Sequence, residues 1–312
     1  MDVVTFGETM VLFHPSSAVP LRFAGQFEKT IGGAESNVAI ALSRLGHQAG
    51  WISRLGNDDF GLYVRNFIRG EGVDTSRVVF DQASPTAVFF KEKRTEQEPK
   101  VHYYRSGSAA SRMIPEDLDE DYLAKAKYLH VTGITPALSE SCRDSVFHAI
   151  ALAKQHGVTV VFDPNIRLKL WSKEEAKKTL VEIASRSDIV LPGIEEGTLM
   201  TGRSQPEEVA RNLLRNGSKA AVVKLGAEGA YYDNGNERGY IEGFHVSHVV
   251  DPIGAGDGFA AGFLSGLLRG WPYEEAVKLG NRVGAYAVTV SGDVEGYPYF
   301  DQLLKDNEEI LR

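Results

Sequence analysis

The residues best suited to do chemistry lie between Val249 and Gly270, where a glycine-rich loop leads into an apolar segment. The chain turns at Asp251-Pro252 and continues as GAGD over residues 254–257. Small and large apolar residues follow on all sides, which predicts a buried helix closely approached by neighbouring backbone. The first turn of such a helix offers free N–H groups and a positive dipole end to an anion. Asp257 in that turn either caps the helix or takes a proton from an attacking hydroxyl group.

Two common phosphate-binding patterns are absent from this segment. The pattern G-x-x-x-x-G-K-[ST] does not occur, so there is no P-loop lysine. Phe259 stands where G-x-G-x-x-G requires its third glycine, so a dinucleotide site is not favoured.

The composition is that of an ordinary soluble globular protein. The 312 residues are 43% hydrophobic and 24% charged, which allows one or two domains with a sizeable core. A formal net charge of -8 without a Lys/Arg cluster argues against a nucleic-acid surface. Cys142 is the only cysteine, which fits a reducing cytosol, and we interpret it as a packing residue rather than a nucleophile. No signal-peptide pattern and no apolar run near the ~18 residues of a membrane span occurs, so we expect a cytoplasmic protein.

Helices and apolar strands alternate along most of the chain, and this alternation predicts an α/β fold with a parallel sheet covered on both faces. Residues of about 10–30 and 83–108 instead show the alternating polarity of β-hairpins. We therefore expect one doubly wound domain over residues 1–312 with a small β lid. Ligands of open α/β sheets bind beyond the carboxyl ends of the strands, where the lid would exclude water. The predicted strands include 3–6, 10–13, 21–27, 49–54, 77–80, 86–91, 101–104, 128–131, 158–162, 189–191 and 220–224, and the predicted helices include 60–70, 139–156, 173–185, 206–216 and 273–289.

Two glycine-rich motifs about 220 residues apart give the chain a family resemblance. GGAESNVA at residues 32–39 and DPIGAGD at residues 251–257 resemble, in this order and separation, the two signatures of the ribokinase family of ATP-dependent carbohydrate kinases. The resemblance covers essentially the whole chain, including the lid, and implies a ribokinase-like fold. In that family the GAGD loop forms the anion hole for the transferring phosphoryl group, and its Asp deprotonates the sugar hydroxyl. The catalytic residues implied here are Gly254, Ala255, Gly256 and Asp257.

The resemblance also implies a nucleotide site. KLGAEG at residues 224–229 is similar to the strand-turn that flanks the nucleotide, although a plain hairpin turn is the alternative. The family's N-x-x-E motif, whose Glu organises the water shell of Mg²⁺, retains Glu196 but has Gly193 in place of Asn. We expect ATP and Mg²⁺, with no direct protein ligand to the metal, and monovalent-cation activation stays open. The implied cofactor residues are Asn165, Glu196, Lys224, Gly226, Gly229, Gly254, Gly256 and Asn281.

Departures from the family pattern bear on the substrate. Ribokinase-like and fructokinase-like members often carry an Asp, for sugar hydroxyls, at the position held here by Leu12. The segments 103–109, 133–138 and 163–167 resemble instead the 2-keto-3-deoxygluconate kinase branch, whose sugar-acid substrate presents a carboxylate that Arg binds through two donors. A solvated lid charge is the alternative for Arg105, a surface ion pair for Arg167, and a plain turn for Asp293. The implied substrate residues are Gly33, Ala34, Asn37, Phe89, Tyr103, Arg105, Ile134, Arg167 and Asp293.

These observations lead to the hypothesis of a kinase that transfers phosphate from ATP to a primary hydroxyl of 2-keto-3-deoxygluconate. The alternatives are a neutral-sugar kinase such as a fructokinase, and a non-catalytic sugar-acid sensor, which the intact Asp257 disfavours. We expect no nucleic-acid or membrane partner, and a homodimer or higher oligomer through the lid, because exposed β patches often pair. His245 and His248 lack the partner carboxylate of a metal motif, and we interpret them as structural.

Overall fold

The computed structural model describes residues 1–92 and 100–304 of the chain. Thirteen strands and ten α-helices lie before residue 300 in this part, and residues 300–304 are helical as well. The strands are β1 (Val3–Phe6), β2 (Met10–Pro15), β3 (Phe27–Gly32), β4 (Ala49–Gly56), β5 (Val78–Asp81), β6 (Val88–Glu92), β7 (Lys100–Tyr104), β8 (Tyr128–Thr132), β9 (Thr159–Asp163), β10 (Ile189–Val190), β11 (Ala220–Lys224), β12 (Gly229–Asp233) and β13 (Arg238–Glu242). The helices are α1 (Ala34–Arg44), α2 (Asp59–Gly70), α3 (Glu120–Leu123), α4 (Thr135–Leu138), α5 (Glu140–Gln155), α6 (Lys173–Arg186), α7 (Ile194–Thr201), α8 (Pro206–Arg215), α9 (Ala255–Leu268) and α10 (Tyr273–Ala287).

The larger sheet has nine strands in the order β13-β12-β11-β10-β9-β8-β1-β4-β5. Strands β11 through β5 in this order pair in parallel, whereas β12 and β13 extend the sheet as an antiparallel hairpin. Neighbouring residues of one strand enter different cores, since Val160 and Phe162 pack in one apolar cluster and Val161 in the other. Helices therefore cover both faces, as the alternation of strands and helices predicts. The predicted α/β class, with a mainly parallel sheet covered by helices on both faces, is confirmed.

The smaller sheet, which we call the lid, has the order β3-β2-β6-β7. It is built from two antiparallel pairs, β2 with β3 and β6 with β7, joined by the parallel pairing of β2 with β6. Its inner face carries a small apolar cluster of Met10, Leu12, Ala87 and Phe89. The two predicted hairpin patches thus form a sheet of their own beside the large one. Most of the charged turn predicted between β6 and β7 lies outside the described residues.

The prediction of a strand over residues 21–27 is wrong in its first half. Leu21–Phe23 is a single turn of 3-10 helix, and β3 begins only at Phe27. Pro20 holds an extended conformation before this turn and has no N–H for a ladder, and the Leu21 N–H donates to the Glu92 carboxylate at 3.0 Å instead. The prediction also lacked α7, whose eight residues are too few for a clear helical period.

Glycines let α9 and α10 pack closely, as the small residues of α9 predict. A Cβ on Gly262 would lie 2.7 Å from the carbonyl oxygen of Leu279, and one on Gly266 would lie 2.6 Å from Cα of Ala276. The helix is buried along most of its length, from Asp257 to Gly266. This packing fixes the start of α9, and with it Asp257, against the body of the molecule.

Candidate active site

A cavity of about 330 Å³, here called the lid cavity, lies between the carboxyl ends of the large sheet and the inner face of the lid. Asp163 and Lys224 are the last residues of β9 and β11, and both line it. Phe89 of β6 and Tyr103 of β7 line it from the lid, and their rings stack with centroids 5.6 Å apart. The cavity therefore lies where open α/β sheets bind their ligands.

Asp257 is buried in this cavity and held through both carboxylate oxygens. Oδ2 accepts a hydrogen bond from the Asn37 amide at 2.8 Å, and Oδ1 accepts one from the Asn165 amide at 3.3 Å. Asn165 has a φ of 38°, a left-handed conformation that Asn tolerates better than most residues. Burial, opposed by the Asn37 hydrogen bond and reinforced by the charge of Asp163, raises the pKa of Asp257 to about 7. Such a carboxylate can accept a proton near neutral pH.

The backbone before Asp257 has the shape of an anion site. Gly254 caps α9 with a φ of 84°, and a Cβ there would lie 2.5 Å from the carbonyl oxygen of Asp293. The Tyr297 hydroxyl donates to the Gly254 carbonyl at 2.9 Å and so stabilises this turn. Gly256 and Asp257 lie in the first turn, where N–H groups have no intrahelical acceptor. We call residues 251–257 the anion loop.

Lys224 places a buried positive charge beside the anion loop. Its ammonium group donates to Asp163 Oδ2 at 2.6 Å, and a Cβ on Gly256 would lie 3.6 Å from Lys224 Nζ. Burial alone would lower the pKa of Lys224, but the nearby carboxylates of Asp163 and Glu196 outweigh it and raise this pKa. The ammonium group therefore stays charged at neutral pH.

The lid contributes an arginine whose guanidinium group is only partly paired. Arg105 Nη2 lies 2.5 Å from Glu8 Oε2, while Arg105 Nε is buried without a hydrogen-bond partner. Ser108 donates to the other oxygen of Glu8 at 2.5 Å, so this carboxylate is fixed from two sides. From the opposite wall the exposed side chain of Arg167 reaches the same cavity. The cavity thus has two cationic groups in addition to Lys224.

The start of α1 is fixed by Glu35. This fully buried carboxylate accepts hydrogen bonds from the hydroxyl groups of Thr132 at 2.6 Å, at the end of β8, and Thr135 at 2.8 Å, at the start of α4. Burial raises the pKa of Glu35. The contact places Gly33, Ala34 and Asn37 along the cavity wall.

A second cavity of about 550 Å³, here called the outer cavity, adjoins the first at Lys224, Pro252 and Gly256. Its lining is mostly apolar and includes Phe244, Val249 and Phe259. Asn281 on α10 donates to the backbone carbonyls of Ile241 and Glu242 and closes one wall. A planar apolar group fits this space, with a charged tail directed toward the anion loop.

Comparison with known proteins identifies the family. Residues 1–298 match the pfkB family of carbohydrate kinases. The chain belongs to this family. It is 43% identical to the 2-dehydro-3-deoxygluconokinase of Bacillus subtilis over 97% of the chain and 94% of that protein. It is 35% identical to a probable fructokinase-4 of Arabidopsis thaliana over 98% and 97% of the two chains. The crystal structure of a putative ribokinase II from E. coli in complex with ATP and Mg²⁺ superposes with a TM-score of 0.91, at 28% identity and 99% coverage of both chains.

The protein is therefore a sugar kinase, and the predicted enzyme class is confirmed. The structure brings every predicted substrate residue of this kinase to the lid cavity, and divides the predicted cofactor residues between the two cavities. Asn165, Glu196 and Gly254 line the lid cavity, while Gly226, Gly229 and Asn281 line the outer one. Lys224 and Gly256 stand at the junction, and Ala255 lies on the outer side.

Several lining residues of the kinase were not singled out from the sequence. Glu8 follows β1 and Asp163 ends β9, so both lie at the carboxyl ends of apolar strands of the large sheet, which is the signal that could have found them. Phe244 and Val249 belong to an irregular segment without a period, and only the fold brings them to the outer cavity. His245 also lines the outer cavity, and both His245 and His248 are exposed rather than packed in the core. Cys142 is buried, and burial raises the pKa of its thiol to about 11, so it is a packing residue as predicted.

The carboxylates of this kinase suit a metal held through water. Glu196 accepts backbone N–H groups from Gly193 and Ile166, each at 2.8 Å, and these bonds occupy one lone pair of each oxygen. Asp163 Oδ1 is buried and lacks a hydrogen-bond partner. Over the described ranges no three His, Cys, Asp or Glu side chains converge as direct ligands. Mg²⁺ keeps several waters and takes few protein carboxylates in phosphate sites, so these residues fit it.

None of the helices in the described part of the chain could span a bilayer.

Proposed function

We propose that this sugar kinase phosphorylates the primary hydroxyl of 2-keto-3-deoxygluconate and forms 2-keto-3-deoxy-6-phosphogluconate. The observation that carries the proposal is Arg105, a guanidinium group buried in the lid cavity whose Nε has no acceptor. A substrate carboxylate would supply that acceptor, and Arg167 would approach it, or the transferring phosphate, from the opposite wall. The 43% identity to a 2-dehydro-3-deoxygluconokinase supports the same substrate.

In the proposed mechanism Asp257 removes the proton from the substrate hydroxyl as that oxygen attacks the γ-phosphorus of ATP. The N–H groups of Gly256 and Asp257 stabilise the charge on the transferring phosphoryl group, and Lys224 adds a fixed positive charge beside them. ADP leaves with the bridging oxygen, and Asp257 later releases its proton to solvent. Mg²⁺ bound through water near Glu196 and Asp163 would neutralise phosphate charge.

The outer cavity is the proposed site of the ATP base and ribose. Its apolar lining suits the two faces of a purine, and its junction with the lid cavity at Lys224 and Gly256 directs the phosphates toward the anion loop. Gly226, Gly229 and Asn281 form its remaining walls, and Ala255 lies where the helix begins. Binding of ATP by a structural relative supports this assignment.

Three further proposals concern the whole protein. We propose a homodimer through the outer face of the lid, where Phe23, Phe27 and Tyr104 expose aromatic surface. A single kinase domain over residues 1–312 and a cytoplasmic location are likewise proposals, supported by the family match to residues 1–298.

A substrate panel with two matched arginine variants tests the substrate. The wild-type protein, ATP and Mg²⁺ should phosphorylate 2-keto-3-deoxygluconate with a kcat/KM at least tenfold above that for fructose or ribose. Arg105→Lys keeps a charge beside Glu8 but loses the planar pair of donors, so kcat/KM for the keto-acid should fall about 10- to 100-fold. For fructose it should change less than threefold. The control is Arg112→Lys, at a 57% exposed arginine outside both the lid and the cavity, which should change neither value.

The other results of this panel identify the alternatives. Preference for fructose would overturn the keto-acid assignment and favour a fructokinase, to which 35% identity also points. Binding of the keto-acid without phosphate transfer would favour a sensor. Asp257→Asn should lower kcat by about 10²- to 10⁴-fold, and an undiminished kcat would overturn the proposed base.

A further inference from the structure

Lys91 connects the lid to the anion loop through a buried ion pair. This lysine lies on β6 two residues after Phe89, so both side chains lie on the inner face of the lid. Its ammonium group contacts Asp251 Oδ2 and lies 3.6 Å from Asp293 Oδ1. The exposed fractions of the three side chains are 6%, 2% and 8%. Lysine is almost never buried to this degree unless it is paired, and here both partners are carboxylates.

Both carboxylates belong to the backbone that shapes the anion site. Asp251 Oδ1 accepts the Ile253 N–H at 3.2 Å, and Oδ2 lies 3.4 Å from the Gly292 N–H. Asp293 packs its carbonyl oxygen under Gly254, where no Cβ would fit. Lys91 therefore contacts the two segments, 251–254 and 292–293, whose mutual packing sets the direction of the anion-loop N–H groups.

Lys91 also neutralises the negative charge of two buried carboxylates. Asp251 and Asp293 are buried carboxylates beside a loop that must accept a phosphoryl group carrying negative charge. Without a cation between them they would repel both each other and that phosphoryl group. Burial raises the pKa of Asp293 to about 6 even with Lys91 in place.

We infer that Lys91 is a positioning residue, which couples the closed lid to the anion loop and neutralises the carboxylates behind it. The inference rests on the proposed role of the anion loop in phosphoryl transfer. The lid then has two tasks, since it covers the substrate and also supplies the cation that fixes the loop geometry. The lid makes a second contact to the same region, where Thr30 Oγ1 donates to Glu295 Oε1 at 2.6 Å. Because threonine is uncharged, this contact cannot replace the positive charge of Lys91.

Kinetics and hydrogen exchange on Lys91→Met test this inference. The variant keeps an unbranched apolar side chain, one atom shorter than lysine, and removes the charge. We expect kcat to fall at least thirtyfold, while KM for ATP changes less than threefold because the outer cavity is untouched. Amide exchange of the peptide around residues 251–257 should become faster, whereas the peptides of β8 and β9 should be unchanged. Lys29→Met, at an exposed lid lysine on β3, is the matched control and should behave as wild type.

Chemical rescue separates charge from general structure. Lys91→Ala leaves a space the size of a propylammonium ion between two carboxylates. Added propylammonium chloride should restore kcat at least tenfold in this variant and leave the wild type unchanged, while propanol should have no effect. A folded Lys91→Met variant with kcat within twofold of wild type would overturn the inference, as would failure of propylammonium to rescue a folded Lys91→Ala.

A double variant covers the case in which a single change prevents folding. Lys91→Met with Asp251→Asn removes both members of the pair, which costs less than leaving one charge buried alone. This variant should fold and remain slow, and a wild-type kcat in it would overturn the inference. All assays use whichever sugar the wild type phosphorylates best, so an error in the proposed substrate would not affect the result. An active Asp257→Asn would instead show that the proposed chemistry of the loop is wrong.

Discussion

Asp257 shows how burial and two neighbouring side chains set the pKa of a single carboxylate. Burial disfavours its charge, the Asp163 carboxylate repels that charge, and the Asn37 amide stabilises it. The result, a pKa of about 7, leaves the group able to accept a proton from a sugar hydroxyl and to release it again at neutral pH. Both carboxylate oxygens accept side-chain amides, which fixes the orientation in which the base meets its substrate.

The pH dependence of turnover follows from this pKa. The active form is the carboxylate, so kcat/KM should rise through pH 7 and be roughly tenfold lower at pH 6 than on the alkaline plateau. Asn37→Ala removes a hydrogen bond that lowers the pKa of Asp257, so the rising limb should move to higher pH. Steady-state assays from pH 5.5 to 9 measure both profiles. Asn66→Ala, at an exposed asparagine on α2, is the control, and an acid shift for Asn37→Ala would contradict the assignment.

The sequence predicted which residues meet in the site better than it predicted what each one contacts. The GAGD loop and Asp257 could be found because a glycine turn before a buried helix has a local signature. Asn37 and Asn165 were assigned to substrate and cofactor, yet both donate to Asp257, a contact across 220 and 92 residues of sequence that no local pattern encodes. Lys91 could not be found, because a lysine in a charged lid segment has the pattern of a solvated one.

Secondary structure could be predicted where the pattern of apolar residues extended over enough residues. The apolar character of α9 on all sides indicated a buried helix, and the contacts of Gly262 and Gly266 with α10 explain why its small residues are needed. The strand prediction for residues 21–27 is wrong because Leu21–Phe23 forms a 3-10 turn with no buried side chain, so hydrophobicity alone did not fix their conformation. α7 was missed because eight residues give barely two helical turns, although Glu196 at its start accepts the Gly193 N–H as a capping residue does.

Because α9 packs closely against α10, we expect a glycine-to-alanine substitution in α9 to lower the free energy of unfolding, which is the opposite of its usual effect in a helix. Alanine usually stabilises a helix interior relative to glycine by about 0.5–1 kcal/mol. Gly262→Ala should instead lower the free energy of unfolding by about 1–3 kcal/mol, because its Cβ would overlap the Leu279 carbonyl and force the helices apart. Urea denaturation followed by circular dichroism measures the difference.

The matched control for this helix pair is Gly70→Ala at the end of α2. A Cβ there meets no atom within 4 Å, so the substitution should be neutral or stabilising by up to about 1 kcal/mol. Equal stability of Gly262→Ala and wild type would show that the two helices can separate without cost, and that the position of Asp257 does not depend on their close contact.

The fold class could be predicted from the sequence, but the order of the strands in the large sheet could not. Alternating strands and helices indicated a covered parallel sheet, and the two hairpin patches indicated a lid. The sequence gives no measure of which strands are neighbours, so the site could be placed at the carboxyl edge only in general terms. The nine-strand order brings the ends of β1, β9 and β11 to that edge, and this order explains why Glu8, Asp163 and Lys224 line one cavity.

The outer face of the lid leads to a prediction about assembly. Phe27, Phe90 and Tyr104 form a run of edge-to-face aromatic contacts there, and Phe27 and Tyr104 are 39% and 66% exposed. An aromatic patch of this kind on a sheet indicates a protein interface, and a second lid is the partner of matching shape and symmetry. We therefore expect the purified protein to sediment at twice the 34.2 kDa chain mass.

Two charge substitutions test that interface. Phe27→Glu with Tyr104→Glu should place four like charges at a symmetric contact and shift the protein to monomer in sedimentation equilibrium at micromolar concentration. Leu304→Glu, at a 52% exposed apolar residue away from the lid, should leave the mass unchanged. Because Phe89 and Lys91 face the other side of β6, the monomeric variant should keep its cavity and remain active. A wild-type protein that is monomeric at this concentration, or a double variant that remains dimeric, would place any assembly elsewhere on the molecule.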